Sequence, residues 1–241
     1  MILKTLHLVV LLALVVNLGY AQVPARVGWW KFEDAADMAK ATVGTPLQLV
    51  GIPASVDGPV AGNKAAEVAL GNFLVMTHGI AANGGGALVN EYSLQIDFSI
   101  PEKGIWHAFM QTDVTNGGDA VLFTNSGNSL GVAATGYTAK GITNETWYRM
   151  IVTVRNGEFY KIYIDGTIWL DAAGQELDGR FALAEKLLIF ADNDAEDGTI
   201  RCSELGIWDT ALDADQVLSL GGASGERVPV RTKLGSWKFD D

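Results

Sequence analysis

The sequence predicts an all-β fold of two packed antiparallel sheets with one short C-terminal helix. Three observations carry this: apolar residues alternate with a period of two, turn dipeptides separate the alternating runs, and one helix-capping signature stands near residue 213. Tyr92–Ile100, Trp106–Thr112 and Ala120–Phe123 alternate in this way between stretches of Gly, Asn and Asp. In Trp147–Val154 the period of two puts Tyr148, Met150, Val152 and Val154 on one face and Trp147, Arg149, Ile151 and Thr153 on the other. Asn156-Gly157 then predicts a two-residue hairpin turn with both residues left-handed, leading into Glu158–Ile164. Asp165-Gly166 turns the chain again into Thr167–Leu170, which completes a meander. Leu187–Phe190 and Thr199–Trp208 close the strand series. The helix follows, because Asp213-Ala214-Asp215-Gln216 has capping-box spacing, Val217, Leu218 and Leu220 are apolar, and Gly221-Gly222 stops the turn.

Charge excludes one class of partner. With 28 acidic and 17 basic side chains the formal net charge is −11, the wrong sign for displacing counterions from nucleic acid. Residues 1–21 read as a secretory signal peptide: Lys4, then an apolar run Leu8–Val16, then the small residues Gly19 and Ala21 at the positions signal peptidase reads. The run is shorter than a membrane span and no second one follows it, so a secreted or cell-surface chain with no membrane span after cleavage is expected. Cys202 is the single cysteine, which excludes an intrachain disulfide and a multi-cysteine metal site.

The start of the domain recurs near the end of the chain. Val27-Gly28-Trp29-Trp30-Lys31-Phe32-Glu33-Asp34 returns as Leu234-Gly235-Ser236-Trp237-Lys238-Phe239-Asp240-Asp241. Such a repeat implies a module of about 200 residues followed by a neighbouring tandem domain, the alternative being two similar strands of one domain. The expected organisation is a signal peptide over 1–21, one domain over 22–222, a Gly- and Ser-containing linker over 223–233, and the first strand of a second copy over 234–241.

Residues 189–194 (IFADND), 200–209 (IRCSELGIWD) and 210–217 (TALDADQV) resemble the closing strand and helix of laminin G-like domains. Trp147-Tyr148-Arg149, Asn156-Gly157 and 162–166 (IYIDG) are similar to the central meander of that superfamily, and Trp30-Lys31-Phe32-Glu33-Asp34 to its first strand. The resemblance spans nearly all of 27–222. It implies a concanavalin A-like jelly-roll sandwich in a secreted bacterial multidomain protein, where such modules flank an enzyme, sometimes a calcineurin-like phosphoesterase. Residues 77–86 (THGIAANGGG) also resemble a subset of these bacterial modules.

This superfamily contains both binders and glycosidases, so function is read from the residues. Laminarinase-like enzymes of this kind resemble one another in a Glu-x-Asp-x-x-Glu or Glu-x-Asp-x-Glu strand, whose period of two lines carboxylates along one cleft. Only Glu176-Leu177-Asp178 starts that pattern, and Gly179-Arg180-Phe181 follows in place of the acid/base glutamate. His78 and His107 have no zinc spacing, and the glycines at 84–86 lack the Lys-Ser/Thr of a phosphate loop. A catalytic role for the chain is therefore not expected.

Two candidate sites remain. Asp192, Asp194, Glu196 and Asp197 form a dense oxygen-donor run suited to calcium, with Glu33, Asp34 or Asp209 as further contributors from strand ends; a solvated acidic turn is the alternative. Trp147, Arg149, Lys161, Tyr163 and Trp169 offer aromatic and hydrogen-bonding side chains on neighbouring strands as a carbohydrate platform, the alternative being core packing. The expected function is a non-catalytic module that binds a glycan or an extracellular protein. A polysaccharide-degrading enzyme and a structural spacer are the alternatives, and repetition favours binder or spacer, because tandem copies multiply weak affinities.

Overall fold

A computed structural model describes residues 21–223. The expected leader up to residue 20, the linker beyond Ala223 and the repeated segment 234–241 lie outside the described residues. Sixteen strands and one helix follow in chain order: β1 Gly28–Trp30, β2 Ala41–Val43, β3 Gln48–Val50, β4 Ala54–Asp57, β5 Lys64–Val68, β6 Phe73–Thr77, β7 Glu91–Ser99, β8 His107–Gln111, β9 Leu122–Thr124, β10 Ser129–Val132, β11 Gly136–Gly141, β12 Tyr148–Arg155, β13 Phe159–Ile164, β14 Thr167–Ala173, β15 Lys186–Ile189, β16 Ile200–Trp208, and α1 Ala214–Leu220. They build two antiparallel sheets. The first runs β14-β13-β12-β7-β16-β1-β2, with β5 also on β16 and β4 on β5; the second runs β11-β10-β9-β8-β15-β6-β3. The fold is the two-sheet sandwich that the alternation predicts.

The inner faces make one core. Leu94, Ile96 and Phe98 of β7, with Met150, Val152 and Val154 of β12, meet Met76, Phe109, Leu187 and Ile189 of the second sheet. Phe98 and Phe109 touch edge to face across the sheets, their ring centroids 4.7 Å apart. Cys202 is buried within this core as a small apolar side chain.

The outer face of the first sheet carries a second cluster. Ile151, Tyr163 and Trp208 pack there beneath Leu212 and the Val217 and Leu220 side chains of α1. The capping box forms as predicted: Gln216 N donates to Asp213 Oδ1 at 2.8 Å and Asp213 N to Gln216 Oε1 at 2.9 Å. The Asp165-Gly166 turn also forms with both residues left-handed, at φ 48° and 78°. Asn156-Gly157 differs, because only Gly157 is left-handed (φ 87°) and the loop takes three residues. Asn156 is instead buried, its Nδ2 donating to Asn90 Oδ1 at 2.9 Å. The two ends of the domain lie side by side, since Ser219 Oγ of α1 donates to Ala21 O at 3.4 Å.

Candidate functional site: a polar groove beside an acidic rim

The five residues expected to form a sugar platform do not share an open face. Arg149 and Tyr163 point outward from the first sheet, as the alternation requires, but α1 covers both. Arg149 Nε and Nη2 donate to the two oxygens of Asp97 at 2.8 and 2.6 Å, and its Nη1 donates to Leu220 O at 2.6 Å. Burial pushes Asp97 up to about 6 against the pull of this guanidinium. Trp169 is displaced by a register shift between Ile162 and Tyr163 and lies against the Tyr148 ring, beside the core. Lys161 is half-buried, with Nζ 3.4 Å from Asp171, and Trp147 is half-buried just before β12. The correction has a plain cause: a helix lies over the centre of the expected platform.

Both described histidines are tied into the fold. His107 is fully buried, with Nδ1 3.1 Å from Thr124 Oγ1, and burial pulls its pKa down to about 4. His78 bridges its own loop to the strap before β15, its Nδ1 accepting from Ile80 N at 3.1 Å and its Nε2 facing Ala184 O.

The triple glycine does cradle an anion, and the anion belongs to the chain. Gly84, Gly85 and Gly86 all have positive φ, which only glycine adopts in succession without strain. They turn Ala87 N and Leu88 N onto the Asp178 carboxylate at 2.7 and 2.8 Å, and Asn90 Nδ2 adds a third bond at 2.8 Å. These donors hold Asp178 below its usual carboxylate range. The sign follows: a depressed folded pKa gives stability present above the unfolded value near 3.8 and lost as pH falls through the lower folded value. Asp178 itself sits at φ 54°, so Asp178→Gly removes the carboxylate without backbone strain. This variant is expected to melt lower at pH 7, to lose part of the wild-type acid dependence, and to be partly restored by added formate. Thermal melts with formate against chloride check this, and equal curves overturn the cradle.

The acidic run folds where predicted, as a loop between β15 and β16. One carboxylate oxygen from each of Asp192, Asp194 and Glu196 lies within 4.8 Å of the others. Asp192 is buried and ties two loops together: its Oδ1 accepts from Ala120 N at 2.9 Å, its Oδ2 from Asp194 N at 3.3 Å, and its carbonyl from Asn116 Nδ2 at 3.0 Å. A hydrogen bond shared with the Asp192 carboxylate, then burial and the Asp192 charge, raise Asp194, while burial and then the Asp194 and Asp192 charges raise Glu196. Asp197 is turned to Gly71 N, 3.0 Å away, and is not one of the three. Glu33 and Asp34 serve Lys64 N and Ala36 N instead.

The two loops wall a groove of about 640 Å³ at the end of β8, on the sheet that α1 does not cover. Gln111, Asp113, Asp119, Arg180 and Asn193 line it, with the bare backbone of Gly117 and Gly118. Arg180 Nη2 donates to Ala120 O at 2.7 Å and Asp119 O at 3.2 Å, joining the strap to the same loop that Asp192 holds. Asp113 caps its own turn through Thr115 N and Gly117 N. Sequence reasoning did not single out Gln111, Asp113, Asp119 or Arg180. The available signal was the polar, glycine-rich run Asp113–Asp119, which without the fold reads as an ordinary turn.

No protein-family model matches the chain, and no curated protein matches it. Solved structures do. A Trypanosoma rangeli sialidase in complex with 2,3-difluorosialic acid is 13% identical over 83% of this chain and 33% of its own, with a TM-score of 0.61. Domain 4 of AbnA, a GH43 extracellular arabinanase from Geobacillus stearothermophilus, in complex with arabinotriose, is 16% identical over 81% of this chain and 98% of its own, with a TM-score of 0.56. The receptor-binding domain of botulinum neurotoxin mosaic serotype C/D is 12% identical over 80% of this chain and 49% of its own, with a TM-score of 0.54. The chain thus spans about a third of the length of the sialidase. At these identities the likeness establishes a shared β-sandwich fold.

Proposed function

We propose that this chain is an exported, non-catalytic module of laminin G-like, concanavalin A-like type that binds a glycan within a larger extracellular protein. The observation that carries the reading is the polar groove, walled by two loops joined through Asp192 and by the segment that carries Arg180. Its lining suits sugar hydroxyls: carboxylates, amides, one guanidinium and exposed glycine backbone. Support comes from domain 4 of the arabinanase, a sandwich of nearly the same extent in complex with arabinotriose. The non-catalytic part of the reading is supported by the engagement of the buried or latched acids: Asp97 pairs with Arg149 and Asp178 fills the glycine cradle.

Calcium belongs to the same proposal. Asp192, Asp194 and Glu196 supply hard oxygen donors close enough to converge on one ion, which would relieve their mutual repulsion and stiffen the groove wall. Saturating calcium at about 100 times its Kd is expected to stabilise the domain by about 2.7 kcal/mol, and Asp194→Ala to abolish that gain. A flat calcium titration removes the metal from the proposal. The binding test is a glycan array on the purified chain, with calcium and again with chelator, followed by Asp119→Ala. Binding lost in the variant supports the groove; absence of binding in both conditions turns the reading toward an extracellular protein ligand or a spacer.

A further inference from the structure

We propose that removal of the leader after Ala21 makes Gln22 the amino terminus, and that Gln22 then closes on itself to a pyroglutamyl lactam. The inference rests on the export reading above. The freed α-amine attacks the side-chain Cδ of the same residue. A Cδ–N bond forms, the bond from Cδ to the amide nitrogen breaks, and ammonia leaves with the proton that the amine gives up. No oxidant or co-reactant enters.

The structure supplies the setting. Gln22 is exposed, and its side-chain amide makes no hydrogen bond among the described residues, so it is free to fold back on its own backbone. The chain just beyond it is held firmly. Gln216 Nε2 donates to Gln22 O at 3.1 Å, Val23 packs on the cluster beneath α1, and the buried Trp208 donates through Nε1 to Pro24 O at 2.9 Å. The new terminus therefore stands beside Val23, Pro24 and Arg26 on one side and Ser219 and Leu220 of α1 on the other.

Two consequences follow from the chemistry. The neutral lactam carries no charge where an α-ammonium would otherwise stand, and Arg26 beside it keeps its bonds to Glu204 and Gln95. The lactam also denies aminopeptidases a free amine. Trimming past Pro24 would take the acceptor from the Trp208 indole and the Val23 side chain from the cluster, so the ring protects the clamp that holds α1.

The test is the mass of the intact protein and of its amino-terminal peptide after purification from culture medium. The expected species begins at residue 22, is lighter by one ammonia than the glutamine form, and resists aminopeptidase until pyroglutamyl aminopeptidase is added. Gln22→Ala is expected to keep a free amine and to be trimmed. A terminus at residue 22 that retains its free amine overturns the cyclisation and leaves export standing. A terminus at any other residue overturns the cleavage position and the proposal together.

Discussion

Replacing Arg149 with alanine is expected to destabilise the domain by about 3–5 kcal/mol, since it strands a buried carboxylate. Asp97 is 1% exposed and takes two of its bonds from this guanidinium. The same side chain holds the last turn of α1 through Leu220 O, so the helix is expected to loosen and Tyr163 to become accessible. The deficit has a pH signature. Asp97 is already pushed up to about 6, and losing its cation raises it further, so protonation in acid neutralises the stranded charge. With the folded pKa above the unfolded one near 3.8, the stability tied to this proton is present in acid and lost as pH rises through the folded value. The gap between variant and wild type should therefore narrow as pH falls from the variant's higher folded pKa toward about 6 and stay level below that, read from urea midpoints across pH. Pairing Arg149→Met with Asp97→Leu is expected to recover most of the loss, because the Asp97 charge goes with its partner and Glu204, 3.7 Å from Arg149 Nη2, keeps Arg26 at 3.2 Å. A constant gap at all pH values would overturn the ion-pair account.

Trp30→Ala is expected to cost about 3–5 kcal/mol, while deletion of residues 234–241 is expected to leave stability unchanged. Trp30 is fully buried on β1, and its Nε1 donates to Thr45 O at 3.0 Å. Gly28 is required beside it, since a Cβ there would stand 2.4 Å from Trp30 Cη2. Phe32, two residues further on and past the end of β1, is buried too. In sequence the later segment matches these three residues with Gly235, Trp237 and Phe239, and has Ser236 where this domain has Trp29. Trp29 is half-buried on the outer face and donates to Glu204 Oε1 at 2.8 Å, a contact particular to this sheet. A segment that keeps the core anchors and varies the outer one is what the first strand of another module needs. Here β1 already occupies the place between β16 and β2. For a domain of this size the Trp30 loss corresponds to a fall of roughly 6–20 °C in melting temperature. A comparable fall on deleting 234–241 would instead make that segment part of this domain.

Much of the fold was legible because burial imposes a period on strands. Met150, Val152 and Val154 face the core as the alternation requires, and Asp213 with Gln216 caps α1 as their spacing requires. The short strands β2 to β4, β10 and β11 were harder to read, since a run of three to six residues with exposed or half-buried positions carries little periodicity, whereas β9 overlaps the alternating run Ala120–Phe123. The acidic loop was legible for a related reason, as its carboxylates are consecutive in sequence and stay together in space. The groove was not, because Gln111, Asp119, Arg180 and Asn193 come from three separate segments that meet only when the strap and both loops close on β8.

The sequence by itself determined the sandwich, the capped helix, the recurrence of the first strand and the position of the oxygen-donor loop, since each depends on spacing along one segment. The tertiary structure alone decided which outward-facing residues are open. Alternation places Arg149 and Tyr163 outside the first sheet, but whether that face meets solvent depends on where α1 packs, and apolar Ile151, Trp208 and Val217 draw the helix onto it. The same long-range packing made Asp178 the internal anion of a glycine cradle, and left the second sheet to carry the groove.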